Sequence, residues 1–104
     1  MNKKPTAAEV TADIISSWKS QYGKVVRYKA DDGKTAYFKS PDIATMDAAA
    51  ALAKTNPVKS NVLVAKACFI GGDEEVVTED KYIFGLGNHL QALIQRVEGE
   101  LSEL

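Results

Sequence analysis

The stretch Lys24-Val25-Val26-Arg27-Tyr28-Lys29-Ala30-Asp31-Asp32-Gly33-Lys34-Thr35-Ala36-Tyr37-Phe38-Lys39 decides the fold. Two runs rich in β-branched and aromatic residues flank a turn ending in glycine, which reads as an antiparallel β-hairpin. A two-residue Asp32-Gly33 turn would set Val26 opposite Lys39 and Arg27 opposite Phe38. A three-residue loop, with Gly33 left-handed in a bulge, pairs Val26 with Phe38 and Tyr28 with Ala36. The second register puts Arg27, Lys29, Thr35, Tyr37 and Lys39 together on a polar outer face. A one-residue slip exchanges the faces of a strand, so the cleaner separation of apolar from polar selects the three-residue loop. Two strands alone are marginal. The Val26/Phe38 face must therefore lean on helices, or the hairpin must borrow a strand from another chain.

Upstream, Thr6-Ala7-Ala8-Glu9 has the form of a capping box, and Ala7, Val10, Ile14, Trp18 and Tyr22 recur at helical spacing up to a stop at Gly23. Downstream, Ser40-Pro41-Asp42 opens a helix expected to reach Thr55, and Asn56-Pro57 opens another segment reaching Ile70. Asn61-Val62-Leu63-Val64-Ala65 within it is also β-prone, so residues 58–70 read as helix or strand, and the length, the Asn-Pro start and the Gly71-Gly72 stop favour helix. Thr78 is then the expected cap of a closing helix whose stripe is Ile83, Leu86, Leu90, Leu93, Val97, Leu101 and Leu104, broadened by Tyr82 and Ile94. Gly85 and Gly87 weaken its first turns, where fraying or a bend is expected, and the end of the stripe is expected to extend beyond the compact core as a partner surface. The expected architecture is α+β: an N-terminal helix, one hairpin, then three helices. Residues 1–104 read as a single domain, with residues 1–5 as a flexible tail.

The 104 residues carry 13 Lys+Arg and 14 Asp+Glu, an ordinary globular composition with 45% hydrophobic and 26% charged residues. A net charge of −1 argues against a general nucleic-acid binder. The charge is divided unevenly, +4 over residues 1–40 and −5 over residues 41–104. That polarity suits head-to-tail association between copies, or one partner at each pole. One cysteine excludes an internal disulfide and fits a reducing compartment. The basic start lacks the apolar core of a signal peptide, and no apolar run approaches a membrane span. Cytoplasmic residence is the expectation.

The residues that carry chemistry stand apart in the sequence. His89, the one histidine, has no second histidine or neighbouring cysteine to share a metal, and Cys68 has no histidine at local spacing. Gly85-Leu86-Gly87 lacks the rest of a phosphate-loop or dinucleotide fingerprint. Counting from Asp73 as an EF-hand start puts Val77 and Phe84 where oxygen ligands are needed. The paired helices after Pro41 invite comparison with DNA-reading helix-turn-helix units, but the second offers only Lys59 and Lys66 in an acidic half. No enzyme, cofactor or metal is expected.

Gly23-Lys24-Val25, Ala36-Tyr37-Phe38-Lys39-Ser40-Pro41 and Cys68-Phe69-Ile70-Gly71-Gly72-Asp73-Glu74, followed by a leucine-rich end, resemble short phage and prophage proteins described as tail assembly chaperone-like. The resemblance spans about residues 18–104, and the Cys-aromatic-aliphatic-Gly-Gly-Asp string is its most specific part. Phe69 departs from the pattern, where tryptophan is common. The resemblance implies a bacterial host cytoplasm and a binding role, shielding apolar helices of a tail protein, with self-association as the other partner expectation. The candidate contact residues are Val26 and Phe38 on the hairpin and Tyr82, Leu86, Leu90, Leu93, Val97 and Leu101 on the closing stripe. A structural tail or connector subunit and a small DNA-associated phage regulator are the alternatives.

Overall fold

The computed structural model describes residues 4–104. It is α+β, in the order α1 (Ala12–Tyr22), β1 (Val25–Lys29), β2 (Thr35–Lys39), α2 (Ile43–Ala53), α3 (Pro57–Cys68), β3 (Phe69–Gly72), α4 (Glu75–Thr78) and α5 (Asp80–Leu86). A 3-10 turn at Ala7–Glu9 precedes these elements and a 3-10 segment at Gly87–Leu93 follows them.

The hairpin adopts the three-residue loop. Val26 faces Phe38 and Tyr28 faces Ala36, and Ala30 and Lys34 close the ladder around Asp31-Asp32-Gly33. Gly33 takes a φ of +97°, a conformation an L side chain disfavours. The support that two strands need comes from the same chain. Phe69–Gly72, expected as the end and stop of a helix, is instead a third strand antiparallel to β2, giving the order β1-β2-β3. Helix α3 keeps its predicted start, with Asn56 accepting from the Lys59 N–H at 3.0 Å and Pro57 in the first turn. Its end is overridden because burial of Phe69 and Ile70 on opposite faces of a sheet outweighs local helical periodicity.

Gly72 shows why a glycine pair suits a strand here. Its φ is +107°, and a Cβ on it would overlap the Thr35 carbonyl oxygen and stand 2.7 Å from Ala36 Cα. A Cβ on Gly71 would stand 2.8 Å from the Trp18 ring. The glycines let β3 approach β2 on one side and let α1 settle on the other.

The sheet therefore has apolar layers on both faces. On one, Ala36, Phe38 and Phe69 pack with Val64, Ala65, Cys68, Val76, Ile83, Leu86, Leu90 and Leu93. On the other, Trp18, Tyr37 and Ile70 gather Val10, Ile14, Ile15, Tyr22 and Val25, with the Trp18 and Tyr37 rings 5.5 Å apart. The expected polar outer face of the hairpin is thus half covered. Helix α1 buries Tyr37 and leaves Arg27 and Lys29 exposed.

Other boundaries also shift. Glu9 accepts from the Thr6 N–H at 2.8 Å as expected, but only a 3-10 turn follows. The chain extends at Val10, and Thr11 caps α1 by accepting from Ile14 at 3.3 Å. β-branched residues at that point favour the extended break. Asp42, not Ser40, caps α2, accepting from Thr45 at 2.8 Å. Of the expected N-terminal tail, Met1–Lys3 lie outside the described residues, whereas Pro5 is attached: its carbonyl accepts the Gly72 N–H at 2.9 Å.

The closing helix is the largest correction. It is divided into α4, α5 and the 3-10 segment, and Thr78 ends α4 instead of starting the run. Residues 94–104 have no regular secondary structure, and residues 95–104 are exposed. Gly85, Gly87 and Gly99, with Asn88, supply too little helix propensity to carry one axis through the stripe.

Candidate functional site

The eight candidate contact residues separate into two groups. Phe38 is 0% exposed and meets Phe69 edge to face, with ring centroids 6.1 Å apart. Tyr82, Leu86, Leu90 and Leu93 are buried in the same layer, and Val26 packs partly buried against it. These six build the core. Val97 is 96% exposed and Leu101 fully so, joined by Leu104. The continuous seam expected from periodicity is therefore a core anchor followed by a projecting segment. Ile94, half-buried, is the hinge between them.

Two contacts set where that segment leaves the domain. The Ile94 carbonyl accepts from Lys24 Nζ at 3.5 Å, and the Gln95 side chain lies against Gly23. The projecting chain starts at the Gly23 end of β1. Its charged residues are Arg96, Glu98, Glu100 and Glu103; those of β1 and its flanks are Lys24, Arg27, Lys29 and Asp31. A sequence signal for the projection existed in Gly99 between two glutamates, where a helix would lose propensity.

The acidic cluster after Gly72 has structural duties. Asp73 accepts from the Thr35 N–H at 2.9 Å while its own N–H donates to the Thr35 carbonyl at 2.7 Å. Glu75 pairs with Lys34 at 2.8 Å, which lowers the Glu75 carboxyl and raises the Lys34 amine. Asp32 accepts from the Lys34 N–H and, through its other oxygen, from the Tyr82 hydroxyl. The Tyr82 bond is the main cause that holds the Asp32 carboxyl below the usual range, and the same bond pushes the Tyr82 phenol up to about 12. The hairpin tip is thus tied to α4 and α5.

Cys68 is fully buried, and burial pushes its thiol up to about 11, so it stays protonated at neutral pH. His89 sets its ring 5.6 Å from that of Tyr28. Among the described residues no three His, Cys, Asp or Glu side chains converge to hold a metal ion. Depressions beside Asp73 and beside Tyr82 hold about 200 and 280 Å³, below the ~300–1,000 Å³ usual for small-molecule sites. Among the described residues no helix is long and apolar enough to cross a membrane. Comparison with protein-family models, with curated proteins and with solved structures gave no match.

Proposed function

We propose that this protein is a non-enzymatic protein-interaction module whose binding element is the C-terminal segment 94–104. The observation that carries the reading is the exposure of Val97, Leu101 and Leu104 on a segment that leaves a closed core. Apolar residues spaced three and four apart are what a helix-in-groove partner reads, and the same segment can be read as a strand. The body offers support of a different kind: its thiol is buried and protonated, and Asp32, Asp73 and Glu75 hold the hairpin tip. In the narrower form of the reading, the module is of phage or prophage origin and shields apolar helices of a tail protein during assembly.

Co-expression with neighbouring tail proteins tests the narrower form. A soluble complex, lost when the chain is ended at Ile94, is the expected result. No complex, together with a chain that stays monomeric, overturns it. The identity of the adjacent genes supplies the proteins to test.

A further inference from the structure

The two edges of the sheet are treated differently. At β3 the edge is occupied, since the Pro5 carbonyl takes the Gly72 N–H. At β1, among the described residues, no strand lies beyond the edge. The ladder shows which backbone groups face outward there. Ala30 donates to Lys34, so Ala30, Tyr28 and Val26 spend their backbone groups on β2. Val25, Arg27 and Lys29 then turn theirs to the open side, and their spacing of two residues puts the exposed Arg27 and Lys29 side chains on one face. An edge strand with unpaired groups is a template for another strand.

We propose that the segment Arg96–Glu103 of a second copy adds to this edge as an antiparallel strand, reciprocal exchange giving a two-fold dimer. This rests on the interaction-module reading and names its partner. Charge complementarity selects the register. With Glu98 opposite Lys29 and Glu100 opposite Arg27, the same alignment sets Arg96 opposite Asp31 and Glu103 opposite Lys24. Glu98 and Glu100 thus meet opposite charges in cross-strand positions of β1, where such pairs stabilise, and Arg96 and Glu103 face opposite charges just beyond the two ends of the strand. On the alternate face Val97 meets Ala30, Gly99 meets Tyr28 and Leu101 meets Val26. Val26, Tyr28 and Ala30 are partly buried apolar residues on one face of the hairpin, and an aromatic ring opposite a glycine compensates for the missing side chain.

The segment of the same chain cannot adopt this register while Gln95 stays at Gly23. Lys29 is six residues along β1 from Gly23, about 20 Å at a strand's rise. Three residues from Gln95 to Glu98 reach about 10–11 Å. A chain's own segment could run only parallel to β1, from Gln95 beside Lys24 onward. That alignment places Glu98 at Arg27 and Glu100 at Lys29 but sets Glu103 against Asp32 and Arg96 against Val25. Both registers carry two matched pairs on β1 itself, but at the flanks the antiparallel one adds two more with no like-charge contact, and it belongs to a second molecule.

The test uses the full chain, Arg27→Glu with Lys29→Glu as one variant, and Glu98→Lys with Glu100→Lys as another. All four side chains are exposed, so folding is not at stake. Light scattering over a wide concentration range should give twice the 11.3 kDa of the chain for the unmodified protein. Each variant alone should associate at least about tenfold more weakly, because each mismatch occurs in both exchanged contacts. Mixing the two variants should restore a dimer, since each segment then meets a complementary edge in the other molecule. A monomer at every concentration overturns the proposal, and so does a dimer that both variants leave unchanged. Monomers whose Arg27 and Lys29 amides lose exchange protection on truncation at Ile94 overturn it in favour of parallel pairing within one chain. In any of these failures, a truncation-sensitive complex with a tail protein would leave the interaction-module reading standing.

Discussion

Three glycine substitutions separate the causes that make β3 possible. At Gly33, an alanine would have a φ of +97° and nothing within 4 Å of its Cβ, so only the backbone conformation is at issue. That costs about 1–3 kcal/mol, partly offset by the lower entropy of the unfolded chain. At Gly71 the φ is unremarkable, and the Cβ would press on the buried Trp18 ring at 2.8 Å and on Pro5 at 3.1 Å, so only side-chain crowding is at issue. At Gly72 both causes act together, and the obstructing atoms are the backbone of Thr35 and Ala36 in the central strand, which cannot yield without opening the sheet. Adding about 1–3 kcal/mol for overpacking brings Gly72→Ala to about 2–6 kcal/mol. A domain of this size is stable by about 5–15 kcal/mol. With a slope near 2 kcal/mol per M, urea midpoints should fall by about 1–3 M for Gly72→Ala. Gly33→Ala should fall by less, and Gly99→Ala, with open space around it, should stay within about 0.5 kcal/mol of the parent. If Gly72→Ala unfolds at the same urea concentration as Gly33→Ala, the close approach of β3 to β2 is wrong.

Alkaline titration should weaken the fold in two stages. The folded values of Cys68 and Tyr82, about 11 and about 12, lie above the ordinary 9.0 and 10.0 of an unfolded chain. Their contribution is complete below pH 9 and is lost as pH rises through the folded values. Urea midpoints against pH should show the first stage missing in Cys68→Ala and the second missing in Tyr82→Phe. Leu90 and Leu101 stand on one sequence stripe yet should behave oppositely under alanine substitution: about 2–5 kcal/mol lost at buried Leu90, and under about 0.5 kcal/mol at exposed Leu101, by thermal or urea unfolding of the monomer. Ending the chain at Ile94 should likewise leave monomer stability nearly unchanged while removing association.

The hairpin was legible because its information is local. Turn chemistry at Asp31-Asp32-Gly33 and alternation on either side select one register, and the ladder follows it. The third strand was not legible. Phe69 and Ile70 continue the helical spacing of Val58, Val62 and Ala65, and Gly71-Gly72 is a plausible helix stop. What makes them a strand is nonlocal: an unsatisfied edge on β2 and two apolar layers, one either side of the sheet, that claim Phe69 and Ile70 separately. The hairpin's need for support was legible: its Val26/Phe38 face does lean on helices, and the added strand comes from the same chain and not from another.

The closing stripe misled for a related reason. Spacings of three and four identify residues that could share a helical face, but they do not say how long the face continues or what covers it. Tyr82 through Leu93 earn their burial from contacts with α3 and the sheet, and after Ile94 no part of the body remains to receive the next apolar residues. Val97 and Leu101 thus sit in a segment whose helical and extended readings are both open in isolation. Its charges decide between them. As a helix, Glu98, Glu100 and Glu103 spread around the axis at about 100° per residue. As a strand, Glu98 and Glu100 fall on one side at the interval of Arg27 and Lys29, and Val97, Gly99 and Leu101 fall on the other, with Glu103 at its end. Part of the polarity between the basic first 40 residues and the acidic remainder acquires a location in this way: Lys24, Arg27 and Lys29 line one open sheet edge, and Glu98, Glu100 and Glu103 lie on one projecting segment of the same molecule. Two copies can satisfy both at once.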